Sequence, residues 1–427
     1  MAENRQTHAT GFVVIRQPVF DRKLEPQGTA VSFSQPKENA PLFADEFTAG
    51  IVLEAHLPQR GPKHPRTIVS FDAAAVRGGV PRLVPVEGMV VEVEEAEGEA
   101  PDICDAVAEL KAAGYGIAVG GFRNRSACRT LNRLADVIVI DAKDPAVSSD
   151  ENALQNIILD ARLFGAKVQV RGLGQWRQML QARTANADLF QGFFFNQMNL
   201  APSTKAVTAT QLSRLRLLEL LDKPDADFRA LARVVEADAV LTYRLLVFLN
   251  SASFGLARKV ESIQQAIVLA GWKPLKDWLK IVLLTDLSHT PRHQELCYYA
   301  AQRSGFLQRV ARVAGLERLV PALSLLGLLS NLEPILEMPP EQALAGVPVS
   351  DDIRLALCGR KSPLSPWLSL VRAMENADWE QAERLGKSAG LGMSDLAQCQ
   401  HSSFTEADTL FRSLPEPESA PQPARVR

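Results

Sequence analysis

The chain has 427 residues, enough for two domains that each bury a core, and its 46% hydrophobic and 22% charged content is that of an ordinary globular protein. A formal net charge of -2 leaves no global field to favour nucleic acid, and no basic-aromatic stripe offsets it. No apolar run reaches the roughly 18 residues of a spanning helix, so no membrane insertion is expected.

The polar start, residues 1–10, is expected to be disordered and has no signal-peptide core, and the odd, unpatterned cysteine set fits a reducing cytoplasm. Gly11 to Phe20 reads as a strand, Asp21-Arg22-Lys23 as a turn, and Thr29 to Phe33 as a second, antiparallel strand. A proline-rich loop, an ambiguous apolar segment from Phe47 to Glu54 and another polar loop follow. From Thr67 the pattern alternates. Strands are expected at Thr67 to Phe71, Met89 to Val93, Ile117 to Val119, Val137 to Ile140, Lys167 to Val170 and Asp188 to Phe195. Helices fall between most of them, at Asp102 to Ala113, Ser126 to Leu134, Glu151 to Phe164 and Gly174 to Arg183. About eight strands with outer helices close as a barrel, and in such barrels chemistry sits at the carboxyl ends of the strands. At the centre of this half those ends are Gly120-Gly121 and Asp141.

A polar linker is expected at 202–210, and no strand follows it. Helices are expected at Gln211 to Leu221, Asp227 to Ala237, Ala239 to Asn250, Ser262 to Ala270 and Pro274 to Leu287. The pattern continues at Glu295 to Ala314, Pro321 to Ser330, Pro339 to Ala345, Ser350 to Cys358, Ser365 to Asn376 and Trp379 to Ala389. Residues 396–427 are expected to be a mostly disordered tail. The cysteines Cys104, Cys128, Cys297, Cys358 and Cys399 are scattered without a CxxC and read as buried or incidental thiols.

The first half resembles the EAL domain family, cyclic di-GMP phosphodiesterases built on a modified TIM barrel. DLFQGFFFNQ at Asp188 to Gln197 is similar to the family's closing motif. LADVIVID resembles its KID strand, and VVEVEE at Val90 to Glu95 its glutamate-bearing strand. The resemblance implies a carboxylate cluster holding divalent metals that activate water against a phosphodiester. The expected ligands are thinned here. The early strand reads GTAVSF with no acid, Ser70 replaces an asparagine, and Gly120 and Gly121 replace two aspartates. Val139 replaces a lysine and Arg171 a glutamate, while Glu92 and Asp141 remain. Two carboxylates make no two-metal site; pairing with Arg123, Arg125 or Arg171 is the expected structural use.

The second half, 211–395, resembles the HDOD domain, an all-α relative of HD phosphohydrolases. The match runs through LLVFLNSASFGLARKVESIQQAIVLAGWKPLKDWL, with Asn250-Ser251, Phe254-Gly255 and Ser262-Ile263 at the family's positions. Asn250 reads as a helix-end bridge and Ser262 with Gln265 as a capping box. An HD metal site needs a His-Asp pair, and none of His8, His56, His64, His289, His293 and His401 is followed by aspartate. His289 and His293, with Pro291 between them, read as exposed loop histidines, and Trp272 and Trp278 as core or interface.

The expectation is an α/β plus all-α chain, a modified TIM-like barrel at 11–201 followed by a helical bundle at 211–395, of the bacterial EAL–HDOD signalling type. The resemblance implies a non-catalytic signalling or scaffold protein that is not an enzyme, with no catalytic, metal or cofactor residues. Its expected partners are other signalling proteins in second-messenger, motility or biofilm control, with a homo-oligomer left open. The alternatives are a cyclic di-GMP sensor that binds without hydrolysis and, more remotely, a cyclic di-GMP phosphodiesterase.

Overall fold

In the computed structural model, which describes residues 13–34, 66–148, 151–197, 208–222, 272–287, 291–345 and 349–412, eight strands close into a barrel. They are β1 (Val13–Asp21), β2 (Pro26–Ser34), β3 (Thr67–Ser70), β4 (Met89–Glu94), β5 (Gly116–Gly120), β6 (Val137–Asp141), β7 (Lys167–Arg171) and β8 (Leu189–Gln191). The β1 strand runs antiparallel to both β2 and β8, and all other neighbours are parallel. The β1–β2 turn is held by Asp21, whose Oδ1 accepts from the amides of Lys23 and Glu25.

The strands are short runs of valine and isoleucine, buried on both faces as parallel strands under helices must be. Their inward side chains Val19, Ala30, Ile68, Val90, Ala118, Val137, Val139 and Leu189 form a compact apolar plug inside the barrel. The β7 strand contributes to the interior a fully buried glutamine, Gln169, rather than an aliphatic. Above the plug, the inward positions turn polar toward the carboxyl ends.

The helices of this half are α1 (Ala73–Arg77), α2 (Pro101–Ala112), α3 (Arg129–Leu134), α4 (Pro145–Ser148), α5 (Glu151–Arg162) and α6 (Trp176–Thr184). Sequence periodicity did not reveal α1; its length and alanine content give no apolar stripe, and Asp72 sets it by accepting from the Ala75 amide. The strand expected over Asp188 to Phe195 ends at Gln191. Phe193, Phe194 and Phe195 leave it to fill the space between the barrel and the second half.

That second half is helical throughout its described residues. Its helices are α7 (Ala209–Asp222), α8 (Trp272–Thr285), α9 (Pro291–Val313), α10 (Val320–Leu329), α11 (Leu332–Leu336), α12 (Pro340–Ala343), α13 (Asp351–Leu357), α14 (Ser365–Glu375), α15 (Trp379–Ser388) and α16 (Met393–Arg412). Residues 396–412 correct the expected disordered tail. The α16 helix buries Leu396, Phe404 and Ala407 against the bundle, which its mixed polar sequence conceals. His293 corrects another expectation. Pro291 sits in the first turn of α9, where proline is tolerated, and His293 is buried two residues on. Trp278 is fully buried, as expected of a core residue. Asn250, Ser251, Phe254, Gly255, Ser262, Gln265 and His289 lie outside the described residues, as do residues 1–10, most of 202–210 and the helices expected between Asp227 and Ala270. Among the described residues, no helix is long and apolar enough to cross a membrane.

Barrel and bundle share one hydrophobic core. Phe193 meets Tyr299 edge-on at 5.0 Å, and the buried Arg16 of β1 pairs with Asp408 of α16 at 2.8 Å. Tyr298 donates to the other oxygen of Asp408 at 2.8 Å. The cysteines form no disulfide; four of the five are buried, and burial pushes the Cys399 thiol up to about 11. They fit the reading of inert thiols.

Candidate functional site

Residues 92 and 94 of β4 lie two apart on a strand, so both carboxylates point into the barrel. Asp141 ends β6 and is the register partner of Arg171, which ends β7. Arg171 is long enough to span the lumen, and its guanidinium joins all three acids. Nη1 donates to Glu92 Oε1 at 2.7 Å, Nη2 to Glu94 Oε1 at 2.9 Å and Nε to Asp141 Oδ2 at 3.1 Å. Three strands are thus tied through one cation at the mouth.

The acids differ in exposure. The Glu92 side chain is 4% exposed and that of Glu94 49%. Burial pushes the Glu92 carboxyl above the usual glutamate range; Arg171 and the Ser70 hydroxyl pull it part of the way back. For Arg171 burial works against the charge, but Glu92, Glu94 and Asp141 outweigh it and hold the guanidinium firmly ionised.

The glycines explain why the acids sit as they do. A Cβ on Gly120 would lie 2.8 Å from both Glu92 Oε1 and Glu94 Oε1. On Gly121, which has φ +59°, it would collide with Glu94 Oε2. The space where the EAL resemblance places two aspartates is occupied by the glutamates of β4. Glu95, the next residue, is fully buried and turned away from the lumen. It accepts from the amides of Arg123 and Arg125 and from Asn132 Nδ2, fixing the loop after β5.

Below Arg171 runs a line of glutamines. Gln169 Nε2 donates to Gln191 Oε1 at 2.7 Å, Gln191 Nε2 to Gln17 Oε1 at 2.9 Å, and Gln17 Nε2 to the Glu375 carbonyl at 3.2 Å. The line therefore ends in the bundle. Lys143, whose amide donates to Asp141 Oδ1, reaches with Nζ to the Asn376 carbonyl at 3.0 Å. The end of α14 thus sits over one side of the mouth. It is anchored by buried Arg303, which grips both oxygens of Glu375 at 2.6 and 2.8 Å and also holds Ser330 and Asn331.

Of the arginines expected to pair with Glu92 and Asp141, only Arg171 does. Arg123 pairs with Asp144, and Arg125 approaches Glu95 at 3.9 Å. Sequence reasoning passed over Glu94, though the i, i+2 spacing with Glu92 places both on one strand face. It also passed over Gln17 and Gln169, whose roles depend on the closing of β1 against β8.

A divalent ion, implied by the EAL resemblance, is not matched by these residues. The carboxylates face a guanidinium, and among the described residues no three Asp, Glu, His or Cys are placed to hold a metal.

Residues 210–339 match the HDOD domain. The chain is 26% identical over 394 residues to the protein named cyclic di-GMP phosphodiesterase CdgJ of Vibrio cholerae, covering 90% of each chain. It is 27% identical over 388 residues to the uncharacterized protein YuxH of Bacillus subtilis, covering 87% of this chain and 93% of that one. Among solved structures it is similar to the PaMucR phosphodiesterase in complex with c-di-GMP, at 20% identity and TM-score 0.36, over 43% of this chain and 95% of that one. It is also similar to the FimX EAL domain of Pseudomonas aeruginosa bound to c-di-GMP, at 16% identity and TM-score 0.36, over 43% and 89%. The relative in Vibrio cholerae overturns the expectation that the chain is not an enzyme: a protein alike across nine-tenths of both lengths is named as a phosphodiesterase.

Proposed function

We propose that this chain, which carries an HDOD domain behind an EAL-like barrel, works in cyclic di-GMP signalling and acts on the dinucleotide at its barrel mouth. We place the barrel domain at 11–201, a linker at 202–210 and the helical domain that carries the HDOD match from 211 to the end of α16 at Arg412. The observation that carries the reading is the Arg171 guanidinium, held ionised among Glu92, Glu94 and Asp141 at the carboxyl ends of three strands. The likeness to a protein named cyclic di-GMP phosphodiesterase supports the choice of ligand.

In this reading Arg171 meets a non-bridging oxygen of the phosphodiester and offsets the charge that grows there as water attacks phosphorus. Glu92, buried and shifted toward neutrality, is the group suited to move a proton between the attacking water and the leaving sugar oxygen. Glu94 is the acid that yields its place to substrate, because it is half exposed and rests against glycines. No step is routed through a metal, since the residues present do not fit one.

The test is turnover of cyclic di-GMP by the full chain, with and without magnesium or manganese, followed by separation of the linear product. Product above a no-protein control is expected, with a loss of about tenfold or more in Glu92→Gln. No product under either condition would sink the reading.

A further inference from the structure

We infer that Lys143 and the corner between α14 and α15 form a latch that reports occupancy of the barrel mouth to the helical half. A phosphodiester bound at the mouth draws the Lys143 ammonium off the bundle, and the corner is released. The inference rests on the reading that the dinucleotide binds at this mouth.

The latch is built from both sides. On the barrel side, Asp141 gives one carboxylate oxygen to Arg171 Nε at 3.1 Å and the other to the Lys143 amide at 2.9 Å. The Lys143 backbone is thereby fixed at the rim, and the part left to move is its side chain. The stem runs beside Gly172, whose φ is +80°; a Cβ there would lie 3.2 Å from Lys143 Cγ and 3.1 Å from Asp141 Oδ1. Lys143 is exposed, and its Nζ donates to the Asn376 carbonyl at 3.0 Å.

On the bundle side, two successive carbonyls at the end of α14 accept from the barrel. Glu375 accepts from Gln17, the last member of the glutamine line that begins at Gln169, and Asn376 accepts from Lys143. Carbonyls in the last turn of a helix lack intrahelical partners and carry the negative end of its dipole, so an ammonium suits them. The corner that follows is tightly wound. Ala377 has φ +56°, a left-handed conformation that is costly for a residue with a Cβ. Asp378 donates its amide back to the Ala373 carbonyl at 2.9 Å while its side chain caps α15. Strain of this kind persists where surrounding contacts hold it, and Lys143 supplies one of them.

The chemistry makes this contact exchangeable. The Arg171 guanidinium is engaged by three carboxylates, whereas Lys143 makes no ion pair among the described residues and spends its charge on a neutral carbonyl. An ionised phosphate oxygen is a stronger acceptor than that carbonyl. Because Cγ already lies at the rim, rotation about the outer bonds of the flexible stem carries Nζ from the corner toward the lumen. One ammonium thus has two alternative partners, and a ligand that supplies the second biases the element that holds the first.

Hydrogen exchange read by mass spectrometry over residues 372–382 of the full chain tests this, with cyclic di-GMP binding followed in parallel by titration calorimetry. In wild type, saturating cyclic di-GMP is expected to speed exchange there about threefold or more, the scale of one lost hydrogen bond. Lys143→Met, which keeps the stem and loses the charge, should exchange at the faster rate without nucleotide and respond no further to it. Lys143→Arg, which keeps a cation within reach of the carbonyl, should restore the slow rate. The inference is overturned if nucleotide-free Lys143→Met exchanges like wild type. Absence of binding in the calorimeter would sink the mouth reading and the latch with it, whereas binding with no response at the corner sinks the latch alone.

Discussion

Glu92 and Glu94 sit two residues apart and meet the same arginine, yet burial gives them different properties. Glu94 is half in water, where an ion pair is screened, so Glu94→Ala should change stability by no more than about 1 kcal/mol in urea denaturation. Glu92 is buried, and its folded-state carboxyl lies above the ordinary glutamate value of about 4.3. The stability such a group lends is present when it is protonated and is lost as pH rises through its folded value. Wild type should therefore lose stability relative to Glu92→Gln as pH is raised from about 4, a trend visible in melts taken across the acid range. A flat difference between the two would mean that Arg171 cancels burial fully. The pair Gly120-Gly121 was legible as a loss of aspartates. That the vacated space holds Glu94 was not legible, because nothing local says how far a side chain from β4 reaches across to β5.

At the scale of elements, α9 and α10 pack closely because Gly327 has no side chain. A Cβ there would lie 2.6 Å from the Ser304 backbone nitrogen and 2.7 Å from the Arg303 carbonyl carbon. Backbone cannot move aside as a side-chain tip can, so Gly327→Ala should destabilise the fold by about 1–3 kcal/mol, measured by chemical denaturation. The shift should also reach Arg303, whose guanidinium holds Glu375 at the end of α14. Strands and long helices were legible from valine-rich runs and three-to-four spacing. The end of β8 and the whole of α16 were not. Phe193 to Phe195 look like a strand in isolation but turn out to pack on Tyr299 and Phe20, and α16 carries too many polar residues for its buried face to stand out.

Across the whole molecule, the bundle is fastened to the barrel by a buried ion pair rather than by a loose polar contact. Arg16 and Asp408 are 6% and 2% exposed, and Tyr298 also donates to the carboxylate. Removing one member of a buried pair takes away a direct partner of the other charge, so Asp408→Ala should cost up to about 3–5 kcal/mol. Since the two halves share a core, the wild-type chain should melt in one calorimetric transition, and this variant should split it in two. A single unchanged transition in Asp408→Ala would show that the aromatic contacts alone hold the halves together.

By itself the sequence determined the succession of elements, the barrel-then-bundle order and the thinning of the expected metal ligands, because these depend on residue type and spacing along the chain. Only the tertiary structure decided where the remaining charges meet. Arg171 finds Glu92 and Glu94 across a lumen that exists once β1 has closed on β8, and Asn376 reaches the mouth because α14 is anchored by Arg303. Such contacts join residues up to hundreds of positions apart, and local periodicity carries no record of them.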